Sequence, residues 1–126
     1  MKQHAQGFLA LVTESKKRIK EINPHELKEK LDQHEPLHLI DVREDHEWGT
    51  GNIPGAMHLG KGIIERDIEK AIPDRSQQIV VYCSGGFRCA LVADSLQKMG
   101  YSQVYSLDTG LQGWIDADYP VEKDNK

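Results

Sequence analysis

A short apolar strand, a glycine-containing loop and a helix follow one another within residues 79–100, and this order constrains the fold most. The run Ile79-Val80-Val81-Tyr82 is rich in β-branched residues, which favours a buried strand. Residues 89–99 carry a broad apolar face and precede Gly100, which is typical of a helix and its C-terminal cap. The loop between them reads Cys83-Ser84-Gly85-Gly86-Phe87-Arg88. A cysteine thus stands where a strand ends and a helix begins, the position at which open α/β sheets bind ligands.

This placement predicts a reactive thiolate at Cys83. Free backbone N–H groups and the helix dipole stabilise an anion there, whereas an isolated cysteine is mostly protonated at neutral pH. Gly85 and Gly86 both allow the positive φ angles that turn successive N–H groups inward as an anion nest. The alternative is a buried structural thiol, since cysteine is among the most buried residue types. The remaining loop residues are substrate-binding candidates: Ser84 as a hydroxyl donor, Gly85 and Gly86 through their backbone, Phe87 as a pocket wall and Arg88 as a cation for an anionic group.

With three further stretches, this loop resembles the active loop of single-domain rhodaneses, which are sulfurtransferases. The other matching stretches are Leu39-Ile40-Asp41-Val42-Arg43-Glu44 with Glu47-Trp48 behind it, residues 51–59, and residues 108–114 ending near Tyr119-Pro120-Val121. Two positions depart from the family pattern. Asn52 stands where His is usual, and Thr109 stands where Gly is common, which leaves Gly110 to supply a positive φ angle. The resemblance divides the chain into an N-terminal helical extension (1–18), a rhodanese-like domain (19–121) and a flexible tail (122–126).

Alternating strands and helices predict an α/β fold with a mostly parallel sheet. The rhodanese resemblance implies the same architecture, a small central parallel sheet flanked by helices on both faces. The expected helices cover residues 5–20, 63–71, 89–99 and 110–117. Another helix is expected to start at Pro24, with Asn23 and Glu26 as its capping box. Residues 44–48 are expected to form a single helical turn. The expected strands are 37–42, 56–59, 79–82 and 104–107. The first helix, outside the matched region, either packs on the domain or docks a partner.

The resemblance implies a double-displacement mechanism. The Cys83 thiolate attacks the outer sulfur of a small anionic donor such as thiosulfate, sulfite leaves, and a persulfide remains on the enzyme. The acceptor is then a thiol or cyanide, with a thioredoxin-like dithiol as a protein candidate. This chemistry needs no metal and no organic cofactor.

Three further residues have open roles. Arg43 either faces the Cys83 pocket and binds substrate or pairs with Asp41, Glu44 or Glu47. In this family the segment around Lys61 often forms part of the pocket rim, so Lys61 either attracts an anionic donor or is a solvated charge. Cys89 is either a resolving thiol that pairs with Cys83 under oxidation or a small core residue.

Two other functions compete with sulfur transfer. The first is a phosphatase or arsenate reductase on the same scaffold. Related cell-cycle phosphatases use a Cys-to-Arg loop with five intervening residues, but four intervene here. Tyr82 also replaces the His that usually precedes the phosphatase cysteine. The second alternative is a non-enzymatic sulfur-carrier or partner-binding module, with the N-terminal helix as its docking surface.

Length, charge and cysteine content narrow the classes of protein to which the chain can belong. The 126 residues indicate one domain, and 16 basic against 20 acidic residues give a charge of −4, which disfavours a nucleic-acid partner. Two cysteines without zinc-type spacing predict neither a disulfide scaffold nor a zinc site. No run approaches the ~20 apolar residues of a membrane span. With no convincing signal peptide either, we expect a cytoplasmic protein without a membrane partner.

Overall fold

A computed structural model describes residues 4–123 as alternating helices and strands. The helices are α1 (Gln6–Lys16), α2 (Pro24–Asp32), α3 (Asp45–Trp48), α4 (Ile64–Ala71), α5 (Arg88–Lys98) and α6 (Gly110–Asp116). The strands are β1 (Lys20–Ile22), β2 (His38–Asp41), β3 (Met57–His58), β4 (Gln78–Tyr82) and β5 (Gln103–Leu107). Among the helices of this described part, none is both long and apolar enough to cross a membrane.

The five strands form one parallel sheet in the order β1-β5-β4-β2-β3. Strand β4 is central, and its residues 79–82 are fully buried, as the run of β-branched residues predicts. The chain leaves β2 toward β3 on one side and leaves β4 toward β5 on the other. The loops after β2 and β4 therefore diverge, and this switch point is where a ligand crevice forms in such sheets.

Helices cover both faces of the sheet, which confirms the predicted fold class. On one face α4 and α5 bury residues such as Ile68 and Leu96 against the strands, and α1 packs on α5. On the other face α2 and α6 bury Leu27 and Trp114. Successive residues of β4 alternate between these two cores, so that the strand is held from both sides.

Helix α2 begins with the expected capping box. The Oδ1 atom of Asn23 accepts a hydrogen bond from the backbone N–H of Glu26 at 2.8 Å, and the Glu26 carboxylate accepts one from the N–H of Asn23 at 2.9 Å. Pro24 occupies the first helical position, where no N–H is needed. The local sequence signal is therefore sufficient to set the start of this helix.

Two expectations near the chain ends need correction. The predicted helix over 5–20 ends at Lys16, and Lys20–Ile22 forms edge strand β1 against β5. A strand of three residues with one buried side chain leaves no alternating pattern to read. The predicted tail is fixed at its first residue, because Glu122 and Asn52 exchange two backbone hydrogen bonds of 2.8 Å. Residues 1–3 and 124–126, which belong to the predicted extension and tail, lie outside the described residues.

Candidate active site

Cys83 lies directly after β4, and the loop folds around its sulfur. The side chain is almost fully buried, with 1% of its surface exposed. The backbone N–H of Gly86 donates to Cys83 Sγ at 3.2 Å, and the N–H of Cys89 in the first turn of α5 donates at 3.5 Å. The sulfur therefore sits at a helix N-terminus with backbone donors directed at it, as the sequence predicts for an anion site.

The second cysteine completes this environment. Cys89 Sγ lies 3.6 Å from Cys83 Sγ and 3.7 Å from the Leu107 carbonyl, so its thiol can donate to the Cys83 sulfur when that sulfur is ionised. The hydroxyl of Ser106 donates to Cys89 Sγ at 3.0 Å. The Cys89 thiol, the two backbone N–H groups and the charge of Arg88 together lower the pKa of Cys83 to about 6, against the opposing effect of burial. Burial raises the pKa of Cys89, so the thiolate belongs to Cys83 and the proton to Cys89. The sulfurs are in contact but well beyond the ~2.05 Å of a disulfide.

Only one of the two loop glycines needs a left-handed backbone, which corrects the expectation for Gly85. Gly86 has φ +94°, and a Cβ atom there would overlap the backbone carbonyl of Asp108. Gly85 is exposed and its φ lies outside the positive region, so that an added Cβ would meet the Phe87 ring at an ordinary 3.6 Å. Gly110 has φ +63°, as expected beside Thr109. Of the glycines at Cys83 and in the facing turn, Gly86 and Gly110 are therefore the positions where a side chain would not be accommodated.

Arg88 is bound to an acidic residue that sequence reasoning did not place in the site. Its Nη1 and Nη2 atoms lie 2.8 and 3.0 Å from the Glu47 carboxylate, which Ser84 Oγ also approaches at 3.3 Å. This ion pair holds the pKa of Glu47 at about 2. Glu47 occupies the third position of α3, and its carboxylate also accepts the backbone N–H of Glu44. The positive charge expected for an anionic donor is thus largely balanced within the protein.

Arg43 and Lys61 do not line the cavity that opens at Cys83, which speaks against their expected substrate-binding roles. Arg43 takes the alternative role: its buried side chain donates three hydrogen bonds to Asp41, from Nε to Oδ1 and Oδ2 at 3.0 Å each and from Nη2 to Oδ2 at 2.7 Å. Its Nη2 also donates to the carbonyl of Gly51 at 2.6 Å. The pair ties the end of β2 to the loop before β3. Lys61 contributes a backbone N–H to the carbonyl of Val42 at 2.9 Å.

The cavity at Cys83 has a volume of about 880 Å³ and two chemically different sides. Ser84, Arg88 and Glu47 form a polar side. Another part of the lining is aromatic, because Phe8 of α1 and His4 before it come within 6.3 and 4.5 Å of the Phe87 ring, measured between centroids. Sequence reasoning missed His4 and Phe8, since contacts between α1 and a loop about eighty residues later leave no local pattern.

Comparison with known proteins agrees with this geometry. A family model for the rhodanese-like domain matches residues 23–117. YtwF of Bacillus subtilis, named as a putative sulfurtransferase, is 38% identical over 96 residues, covering 76% of this chain and 90% of that protein. The thiosulfate sulfurtransferase GlpE of Coxiella burnetii is 32% identical over 110 residues, covering 87% and 96% of the two chains.

Among solved structures, a Rhodopseudomonas palustris protein of unknown function, described as a possible tyrosine phosphatase, superposes with a TM-score of 0.81. The two chains are 26% identical, and the alignment covers 97% of this chain and 99% of that one. The family model, the two relatives and the parallel sheet with a cysteine loop after its central strand agree with one another. The chain belongs to the family of rhodanese-like domains.

Proposed function

We propose that the protein is a sulfurtransferase that carries a sulfane sulfur on Cys83, taking it from thiosulfate or an organic persulfide. One observation carries the proposal: the Cys83 sulfur accepts backbone N–H groups from Gly86 and Cys89 at 3.2 and 3.5 Å and borders an open cavity. The names of two relatives, YtwF and GlpE, support the general class. The acceptor is a thiol or cyanide, including the dithiol of a thioredoxin-like protein.

The geometry suits the two steps of this reaction. With a pKa of about 6, Cys83 is mostly a thiolate at neutral pH and can attack the outer sulfur of thiosulfate. The bond between the two donor sulfurs breaks, sulfite leaves with the electron pair, and Cys83 carries a persulfide anion. The N–H groups that face the sulfur, together with the loop residues Ser84 to Arg88, are the groups we assign to holding this anion. An acceptor thiolate then removes the outer sulfur and regenerates the Cys83 thiolate.

A phosphatase or arsenate reductase is a weaker candidate, although one structural neighbour is described as a possible tyrosine phosphatase. A tetrahedral oxyanion needs an arginine free to bind its oxygens bidentately. Here Arg88 already makes that pair with Glu47. The four-residue spacing between Cys83 and Arg88 also suits a single sulfur better than a larger oxyanion.

A non-enzymatic sulfur carrier would use the same cysteine, and a relative named as a sulfur carrier protein, YrkF of Bacillus subtilis, is 29% identical over 102 residues. This chain spans 54% of that protein. Turnover separates the two functions. A carrier takes up one sulfur and keeps it, whereas a sulfurtransferase releases it repeatedly to a small acceptor.

The test is the intact mass of the reduced protein after incubation with thiosulfate or cysteine persulfide, beside Cys83→Ala and Cys89→Ala. We expect a gain of one sulfur in the wild type and in Cys89→Ala, reversed by cyanide, and none in Cys83→Ala. Loading by the persulfide alone would remove thiosulfate from the proposal and keep sulfur transfer. Loading that survives in Cys83→Ala, or no loading by either donor, would refute the proposal.

A further inference from the structure

Helix α1 lies outside the residues that match the family model, yet it is fixed to the domain. Val12 is buried with 2% of its surface exposed, on the side of α1 that packs against α5. Just after α1, Arg18 forms a two-point ion pair with the buried Asp94 of α5, with distances of 3.0 and 2.8 Å. Ser15 Oγ adds a hydrogen bond to Asp94 at 3.3 Å. These contacts set the direction in which the N-terminal half of α1 points.

That direction brings Phe8 to the active loop. Phe8 and Val12 lie one turn apart on the same face of the helix, and Phe8 therefore lies over the start of α5. The rings of Phe8, His4 and Phe87 form a cluster with centroid distances of 6.3, 5.4 and 4.5 Å. All three side chains are half-buried, so each keeps part of its face open to the cavity that reaches Cys83.

The cavity is poorly matched to thiosulfate. Its volume of about 880 Å³ falls in the range that encloses organic ligands much larger than a donor of five heavy atoms. Arg88 is the single Lys or Arg among the lining residues within 4–123, and Glu47 pairs with it. Glu44 adds another negative charge to the same wall. Lys16 Nζ lies 5.9 Å from the centroid of the Phe87 ring, but it pairs with Glu21 at 3.2 Å. A dianion therefore gains little from the paired cations, whereas an apolar group gains contact with three rings.

We propose that α1 supplies the specificity wall of this site and that the preferred donor is an organic persulfide with an aromatic or branched apolar substituent. This inference rests on the proposed function, because it concerns the donor that loads Cys83. The Cys83 thiolate attacks the outer sulfur of R–S–SH, a new S–S bond forms, and the bond between the two donor sulfurs breaks. R–S⁻ leaves with the electron pair and takes the proton of the enzyme persulfide through water. The rings of Phe8, His4 and Phe87 hold the R group throughout.

Stable probes make the test direct. Benzenethiosulfonate and methanethiosulfonate carry the same transferable sulfur and the same charge, and each transfers its outer sulfur to Cys83 and leaves as a sulfinate. We would measure the loading rate constant of the full chain by intact mass for both probes and for thiosulfate. Each rate is divided by the rate of the same probe with free cysteine, which removes intrinsic reactivity. We expect a normalised preference for the aromatic probe of about tenfold or more, the effect of ~1.4 kcal/mol of apolar contact.

The variant Phe8→Ala should lower the rate with the aromatic probe about tenfold and leave methanethiosulfonate and thiosulfate within about twofold. The matched control is Leu11→Ala on the same helix, where the side chain is 61% exposed and does not line the cavity. This control should leave all three rates unchanged. The preference of the wild type for the aromatic probe is measured without any substitution. It therefore tests the inference even if Phe8→Ala loosens the packing of α1.

The outcomes separate the two proposals. If all three donors load Cys83 without an aromatic preference, or if Phe8→Ala slows the three donors equally, the specificity wall is refuted and sulfur transfer stands. If none of the three loads Cys83 while cysteine persulfide does, the specificity wall is refuted and sulfur transfer stands; if cysteine persulfide also fails to load Cys83, both proposals fail. A preference that is present in the wild type, lost in Phe8→Ala and kept in Leu11→Ala would establish α1 as part of the donor site.

Discussion

The thiol of Cys89 should control how acidic Cys83 is, and one substitution isolates its contribution. The backbone N–H of Cys89 donates to the Cys83 sulfur at 3.5 Å, and the Cys89 thiol, 3.6 Å away, donates to it as well once Cys83 is ionised, in place of the Leu107 carbonyl at 3.7 Å. Cys89→Ala removes the thiol donor and keeps the backbone donor. The pKa of Cys83 is about 6 in the intact site, with the Cys89 thiol as the largest favourable cause.

The size of the effect follows from the hydrogen bond that is lost. A hydrogen bond to a charged group is worth ~1.5–3 kcal/mol, and a thiol is a weak donor, which places this bond at the low end. About 1.4 kcal/mol corresponds to one pH unit. We therefore expect the titration midpoint of Cys83 to rise from about 6 to about 7 in Cys89→Ala. Cys89→Ser restores a hydroxyl donor and should return the midpoint toward the wild-type value.

The assay is the rate of alkylation by iodoacetamide as a function of pH, read from intact mass. Each curve is normalised to its high-pH plateau, because the intrinsic nucleophilicity of a thiolate also changes with its pKa. Cys89 is fully buried and its pKa is raised, so the first alkylation reports on Cys83. An unchanged midpoint in Cys89→Ala would mean that the backbone N–H groups alone set the acidity. A rise of the same size in Cys89→Ser would assign the effect to disturbed packing.

The same pKa makes stability depend on pH in a defined direction. The pKa of Cys83 lies near 6 in the folded protein and near ~8.5 in the unfolded chain. Because the folded value is the lower one, ionised Cys83 stabilises the fold fully above ~8.5, and this stabilisation is lost as the pH falls through 6. The difference in unfolding free energy between wild type and Cys83→Ala should therefore increase from pH 6 to pH 8.5. A flat difference would contradict the lowered pKa.

Three other substitutions test the site's architecture. Gly86→Ala should destabilise the protein by ~2 kcal/mol or more in urea unfolding, while its control Gly85→Ala stays within ~0.5 kcal/mol; equal losses would contradict the assignment of the positive φ. Arg43→Ala should lower the free energy of unfolding by ~3–5 kcal/mol because it leaves the buried Asp41 carboxylate without its ion pair. A mild loss of stability with a large loss of thiosulfate activity would instead indicate that Arg43 binds substrate. Glu47→Gln should free Arg88 and lower the KM for thiosulfate about two- to fivefold, as ~0.5–1 kcal/mol allows; a higher KM would show that Glu47 holds Arg88 in its useful position.

The sequence was sufficient for features whose cause is local. The buried run of β4, the capping box at Asn23 and the strand-loop-helix order around Cys83 each rest on neighbouring residues, and each appears in the structure as expected. The positive φ at Gly110, by contrast, was expected from the rhodanese resemblance and not from a local cause. Such features need no knowledge of how distant segments meet.

The features that sequence reasoning missed depend on contacts between distant segments. Arg88 could have been free, but the chain brings Glu47 from 41 positions away to pair with it. Phe8 carried no signal of its place beside Phe87, because only the packing of α1 on α5 sets it. For Arg43 the sequence did offer a local indication, because Asp41 lies only two residues before it. The structure contains the ion pair between these two residues.

Two parts of the chain contribute different properties to the site: the loop after β4 sets the acidity of Cys83, and the N-terminal segment contributes to donor selectivity. Backbone N–H groups and the Cys89 thiol lower the pKa of Cys83 more than the charge of Arg88 does, so the loop suits one anionic sulfur and does not depend on a free cation. The loop itself does not select the substituent that a donor carries on that sulfur, since Arg88 is already paired with Glu47. The remaining selectivity must come from the aromatic wall, where Phe8 of α1 and the preceding His4, both outside residues 23–117, meet Phe87 of the loop. Two chains with the same loop could therefore prefer different donors if their N-terminal segments differ. An exchange of this helix should move donor preference and leave the pKa of the nucleophile in place.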